Sequence, residues 1–155
     1  MRSKLCVAAL AVWLVTIGTL GWLFVKGWTD VGTGGRVEVV VASAERDQIL
    51  AEMRQLLKSV HGVVTGLSGS DEDVKNAEAA ARAAGMTMAA DANPALIAKL
   101  PLAFKEIGMS VHQDMDLLAD AVARREPPPQ ILRRLSNITA RCTTCHEMFQ
   151  LTSNK

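Results

Sequence analysis

From Leu5 to Val25 the chain carries no charge, and beyond it apolar positions recur at steps of three and four, in stretches broken by Gly and Pro. At ~1.5 Å per residue the uncharged run makes a helix of roughly 31 Å, the thickness of a bilayer's hydrocarbon core. Arg2 and Lys4 precede it, which predicts a cytoplasmic N-terminus and an exported remainder. Trp22 and Trp28 fall at its outer end, where amphipathic rings prefer the interface. A cleaved signal peptide is the competing reading. Its apolar core usually spans only about 7–15 residues and is followed closely by a small-x-small site. The best such tripeptide, Ala42-Ser43-Ala44, lies too far downstream. The expectation is an uncleaved anchor over residues 1–26, with a soluble exported protein after cleavage as the alternative.

Residues 27–42 read as a linker. Val31–Arg36 (VGTGGR) has the composition of a flexible tether, and Val37–Val41 is apolar but has no evident partner strand.

Residues 43–155 predict four helices. The first starts near Ser43 with Glu45 and Asp47 at its positive end, and carries Ile49, Met53, Leu56, Val60, Val63 and Leu67 on one face. Gly66-Leu67-Ser68-Gly69 stops it. Ser70 and Asp73 resemble a capping box for an Ala-rich helix over roughly 71–90. Asn93-Pro94 breaks the chain before a helix over roughly 95–124, bent at Pro101, with Phe104, Ile107, Val111, Met115, Leu118 and Val122 on one face. Pro127-Pro128-Pro129 makes a stiff turn. A last helix, roughly 130–150, carries Ile131, Leu135, Ile138, Cys142, Cys145 and Phe149 in a stripe. Four amphipathic helices with short connections predict an all-α fold, an antiparallel four-helix bundle behind one transmembrane helix.

Composition changes this picture in one respect. The chain has 155 residues, three Trp, three Phe and no Tyr, and past residue 30 only Phe104 and Phe149 remain. The core must be aliphatic or must borrow bulk from elsewhere. An aromatic stacking platform for single-stranded nucleic acid is excluded. Charge agrees: beyond residue 35 there are 14 basic to 15 acidic side chains, which leaves no electrostatic footprint for nucleic acid.

The sharp chemical signal is Cys142-Thr143-Thr144-Cys145-His146. C-x-x-C-H is the attachment pattern of c-type haem. Two thiols three apart share one helix face and can add to the two vinyl groups of a porphyrin, and the next residue, His146, reaches the iron as proximal ligand. A structural zinc site wants four ligands where this cluster has three. A thioredoxin-type pair wants a βαβ setting and a helix N-terminus. A disulfide is permitted in an exported chain but leaves His146 unexplained. Cys6 reads as a buried anchor residue.

A helical bundle with C-x-x-C-H on its last helix resembles the cytochrome c′ family, the class II c-type cytochromes, over about residues 43–155. One departure stands out. The family commonly has a basic residue four positions after the haem His, and here Gln150 occupies it after Phe149. The resemblance implies one covalent haem c on Cys142 and Cys145, and electron exchange with redox partner proteins of the membrane or periplasm. It also implies a bacterial inner-membrane location with the haem domain in the periplasm, and dimers as a common family state. In six-coordinate relatives a Met of the first helix ligates the iron. In five-coordinate members an apolar side chain packs there and small gases (NO, CO) bind. Met53 is the candidate distal ligand and Leu50 the candidate packer. Met53 also reads as core filler. His112 and His61 are the other candidate ligands, each also an ordinary half-buried or surface residue. Met86, Met88, Met109 and Met115 read as core. Arg46, Arg54 and Arg141 are candidates to pair with haem propionates, or ordinary solvated charges. No catalytic constellation is visible, so the expected role is that of a carrier, not an enzyme.

Overall fold

The computed structural model describes residues 2–67 and 69–153, and the side chains of all of these except Arg2 and Ser3. Ser68, within the first bundle helix's Gly66–Gly69 stop, lies outside the described residues. The chain is mostly helical with a small three-stranded sheet. In order it forms α1 (Arg2–Lys26), β1 (Thr29–Val31), β2 (Val37–Val41), α2 (Ser43–Gly66), α3 (Asp71–Arg82), α4 (Met86–Ala90), α5 (Pro94–Lys99), α6 (Leu102–Ala123), α7 (Pro128–Met148) and β3 (Phe149–Ser153).

The apolar run becomes α1, a single exposed helix long and apolar enough to cross a membrane. The segment after α1 departs from the linker reading. Val31–Arg36 is no loose tether but the turn of a hairpin: β1 pairs antiparallel with β2, and the Gly32 N–H closes the turn on the Arg36 carbonyl at 3.0 Å. A second partner strand for Val37–Val41 comes from the far end of the chain. β3 lies parallel to β2, with Val37 opposite Phe149 and Val41 opposite Ser153. The fold is therefore not all-α, and the last helix stops at Met148, because the backbone from Phe149 onward pairs with β2.

The junction after α1 is tight. Gly27 is buried with φ +65°, and a Cβ there would meet the Lys99 carbonyl oxygen and the Pro101 nitrogen at 2.5 Å. The next residue, Trp28, donates its N–H to the Lys99 carbonyl at 2.7 Å and accepts from the Val40 N–H at 2.9 Å. Gly27→Ala adds a backbone clash to the left-handed penalty of roughly 1–2 kcal/mol. The expected result is at least tenfold faster amide exchange at Trp28 and Val40, with exchange in the middle of α6 unchanged.

Side chains of α6 explain why the Ala-rich helix is two helices. Asp116 accepts the Met86 N–H at 2.8 Å, and a Cβ on Gly85 would lie within 2.8 Å of three Asp116 carboxylate-group atoms. His112 donates from Nδ1 to the Ala84 carbonyl at 2.8 Å. A backbone that surrenders its helical bonds at residues 84–86 gains these two partners. Pro101 likewise divides the expected third helix into α5 and α6, and the Asn93 side chain caps α5 by accepting the Ala95 N–H at 2.9 Å. The Ser70–Asp73 pairing forms as read: Asp73 accepts from the Ser70 N–H at 2.6 Å, which holds its carboxyl below the usual range.

Helix α2 packs on α3, α3 on α6, and α6 on α7. Their inner faces form one aliphatic core around Val63, Met115, Leu118, Ile131 and Ile138. A second cluster sits at the sheet end: Val39, Val41, Ile49, Leu96, Leu100 and Phe149, with Met53, Phe104, Ile107 and Cys145 packed against it. Of the methionines read as core, Met115 is buried and Met86 and Met88 are half-buried, whereas Met109 is exposed on the outer face of α6.

Candidate functional site

The chemistry-bearing residues meet beside the second cluster, where α7 gives way to β3. Cys142, Cys145 and His146 fall on the last two turns of α7 because the 4-3-4-3 stripe that buries Ile131, Leu135 and Ile138 continues into them. Two cavities flank this end of the helix. One, about 210 Å³, is lined by Arg36, Arg46, Leu50, Met53, Phe104 and Cys145, together with His146 and Phe149–Leu151. The other, about 110 Å³, is lined by Glu52, Met53, Phe104, His112, Arg141 and Cys142, with further aliphatic residues and both Cys145 and His146. Met53, Phe104, Cys145 and His146 belong to both, so the two are halves of one cleft.

Both thiols are half-buried and unpaired, so the Cys142–Cys145 disulfide is not formed. Burial pushes each thiol's pKa up, and for Cys145 the neighbouring Cys142 adds to the rise. They are protonated at neutral pH, the opposite of the activated thiolate that a redox dithiol requires. They also sit at the C-terminal end of α7, where the helix dipole disfavours a thiolate. Among the described residues no group of three or more His, Cys, Asp or Glu side chains is arranged to hold a metal ion.

The lining of the cleft combines sulfur, imidazole and apolar groups. Two thiols and an exposed imidazole line it, its floor is apolar, and the rings of Phe104 and Phe149 meet edge-on at its wall, centroids 5.5 Å apart. Arg46 lies at its rim, as does Arg36, which sequence reasoning missed. Arg36 enters through the β2–β3 pairing, a contact across more than a hundred residues that leaves no local signal. Arg141 lines the inner half but is committed to α6, bonding the Asp114 carboxylate and the Ser110 carbonyl. Arg54 is exposed and lies outside the cleft. Gln150, which stands where the resemblance expects a basic residue, donates from Nε2 to Glu38 Oε1 at 2.7 Å and ties β3 to β2.

On the side of α2, Met53 and Leu50 both line the cleft, three residues apart. His112 also lines it; its Nδ1–H bonds the Ala84 carbonyl at the bend between α3 and α4, a bond that engages one ring nitrogen and not Nε2. His61 is exposed and does not line the cleft. Glu52 is the acid of the cleft. Burial raises its carboxyl, and the charge of His112 and a hydrogen bond from Gln48 oppose the rise.

No protein-family model, curated protein or solved structure matches the chain.

Proposed function

We propose that this protein is a membrane-anchored c-type cytochrome of the c′ kind: an antiparallel four-helix bundle of α2, α3–α4, α6 and α7, held at the periplasmic face of a bacterial inner membrane by α1. One haem is joined to the chain by thioethers to Cys142 and Cys145. His146 is its proximal ligand and Met53 its distal one. The observation that carries this reading is the shared cleft: the C-x-x-C-H residues on α7 and Met53 on α2 line the same apolar space.

The group supplies one-electron exchange at its iron. The chain's own residues bind and screen it. Cys142 and Cys145 fix it to α7 so that it cannot dissociate. Phe104, Phe149 and Leu50 exclude water from the ring, and a ligand set of one Met and one His favours a raised reduction potential. Arg36 and Arg46 offer planar donor forks to carboxylates at the rim. The anchor concentrates the carrier with partners in the same membrane. The role is electron transfer, not substrate turnover.

The test is a haem stain of the full chain, matured with the haem-attachment machinery and run on a denaturing gel. Thioether-bound haem survives detergent, so the expected result is a stained band at the mass of the chain. An unstained band rejects the cytochrome reading. A second reading, a five-coordinate protein that binds NO or CO, is favoured by Leu50, which stands in the cleft as an apolar alternative to Met53.

A further inference from the structure

Two features of α6 are left over by the bundle's own packing. The first is His112. A carbonyl can only accept, so the bond to Ala84 puts a proton on Nδ1, and in the neutral ring the lone pair stands on Nε2. Among the described residues, Ser59 Oγ is the one fully buried side-chain polar atom without a partner, so Nε2, which makes no hydrogen bond, is not walled in by protein. His112 is only 8% exposed, and the space it borders is the inner half of the cleft. Two donors that share this lining are turned elsewhere: Arg141 to Asp114 and the Ser110 carbonyl, and the Cys142 thiol to the Ile138 carbonyl at 3.6 Å. The second feature is Gly108, one turn before His112 and in the same lining. Glycine inside a helix is destabilising relative to alanine. Nothing packs within 4 Å of where a Gly108 Cβ would stand, so protein packing does not call for it. A bare turn of helix and an unused lone pair therefore border one space, which Met53, Cys142, Cys145 and His146 also line.

We infer that His112 Nε2 is a second distal ligand of the haem iron, bound when the iron is oxidised and replaced by Met53 when it is reduced. The inference rests on the cytochrome reading and deepens it. An imidazole that ligates a metal almost always donates its other N–H to a carboxylate, a carbonyl or water, which fixes the tautomer and raises the basicity of the ligating nitrogen. The Ala84 carbonyl already does this for His112. A thioether ligand raises the reduction potential of a haem, so relative to imidazole it favours the reduced iron, and imidazole the oxidised. With both side chains in one lining, that preference becomes an exchange. When the redox partner takes one electron, the bond from Met53 Sδ to iron breaks and the bond from His112 Nε2 forms; return of the electron reverses both. No proton moves, because the Nε2 lone pair is free. The bare turn at Gly108 leaves the space unblocked.

The test is near-infrared magnetic circular dichroism of the oxidised, haem-loaded full chain, which tells two nitrogen ligands from nitrogen and sulfur, together with visible spectra of the reduced protein. Expected are a two-imidazole signature in oxidised wild type and its complete loss in His112→Asn. Asn keeps an N–H for the Ala84 carbonyl and removes Nε2. The reduced spectra of the two proteins should coincide, and the reduction potential of the variant should rise. His61→Asn, at an exposed position outside the cleft, should retain the signature. The chain has three His, so this second variant assigns the signature even if His112→Asn fails to mature. An imidazole–thioether signature in oxidised wild type overturns the exchange and leaves the Met-ligated carrier standing. High-spin oxidised iron, a signature that survives His112→Asn or is lost in His61→Asn, or a reduced spectrum altered by His112→Asn also overturns it. Protein without covalent haem rejects the cytochrome reading itself, and the exchange with it.

Discussion

Cys142→Ala/Cys145→Ala protein is expected to emerge without covalent haem and with a loosened core. The stain is lost completely. The structural effect follows from the two halves of the cleft, about 210 and 110 Å³. At ~24 cal/mol per Å³ of unfilled cavity, they correspond to at most about 5 and about 3 kcal/mol. These are upper limits, because both halves open to water. A domain of this size is stable by only about 5–15 kcal/mol. An unfilled cleft of this size is therefore expected to lower its stability, by no more than those limits. Far-UV circular dichroism should persist, since α2, α3, α6 and α7 keep their aliphatic core around Met115 and Ile131. Near-UV signal from Phe104 and Phe149 should weaken, and thermal unfolding should broaden. A double variant that melts as sharply and as high as the haem-loaded protein contradicts the reading.

The second large effect is expected at Met53. Met and Leu have similar volumes, so Met53→Leu should cost less than about 1.5 kcal/mol of stability. The spectroscopic change should be all-or-none by comparison. With Met53 on the iron, reduced wild-type protein gives a low-spin spectrum and ignores carbon monoxide. Reduced Met53→Leu protein gives a high-spin spectrum and binds the gas rapidly. If reduced wild-type protein binds carbon monoxide as fast as the variant, Met53 is core filler, Leu50 is the distal neighbour, and the gas-binding reading replaces the electron carrier.

The long amphipathic helices were legible in the sequence because their information is local. Ile49 to Leu67 and Ile131 to Cys145 repeat at helical spacing, and those stripes are the faces turned inward. The motif on α7 was legible for the same reason. What sequence reasoning missed is carried by contacts between distant segments. β2 resembled a linker because its near partner, β1, is only three residues long and its full-length partner, β3, starts more than a hundred residues later. The break between α3 and α4 depends on His112 and Asp116, two side chains of α6 that no local rule connects with Gly85. The same limit hid Arg36 from the cleft. It also hid the role of Gln150, whose partner Glu38 belongs to the opposite end of the chain.

The β2–β3 pairing also sets an order of assembly. Glu38 and Gln150 are 112 positions apart. Closing a flexible loop of that length costs about 4 kcal/mol of chain entropy, before a short parallel ladder returns anything. Helix packing must shorten the loop first, so β3 docks late, and in a chain made from its N-terminus it is also the last strand to arrive. Phe149, Gln150 and Leu151 form one wall of the cleft. Until they dock, Cys142 and Cys145 stand at an open edge. On the cytochrome reading proposed above, the strand that completes the cleft is thus also the door by which the haem enters, and its late docking leaves the thiols open to the attachment machinery.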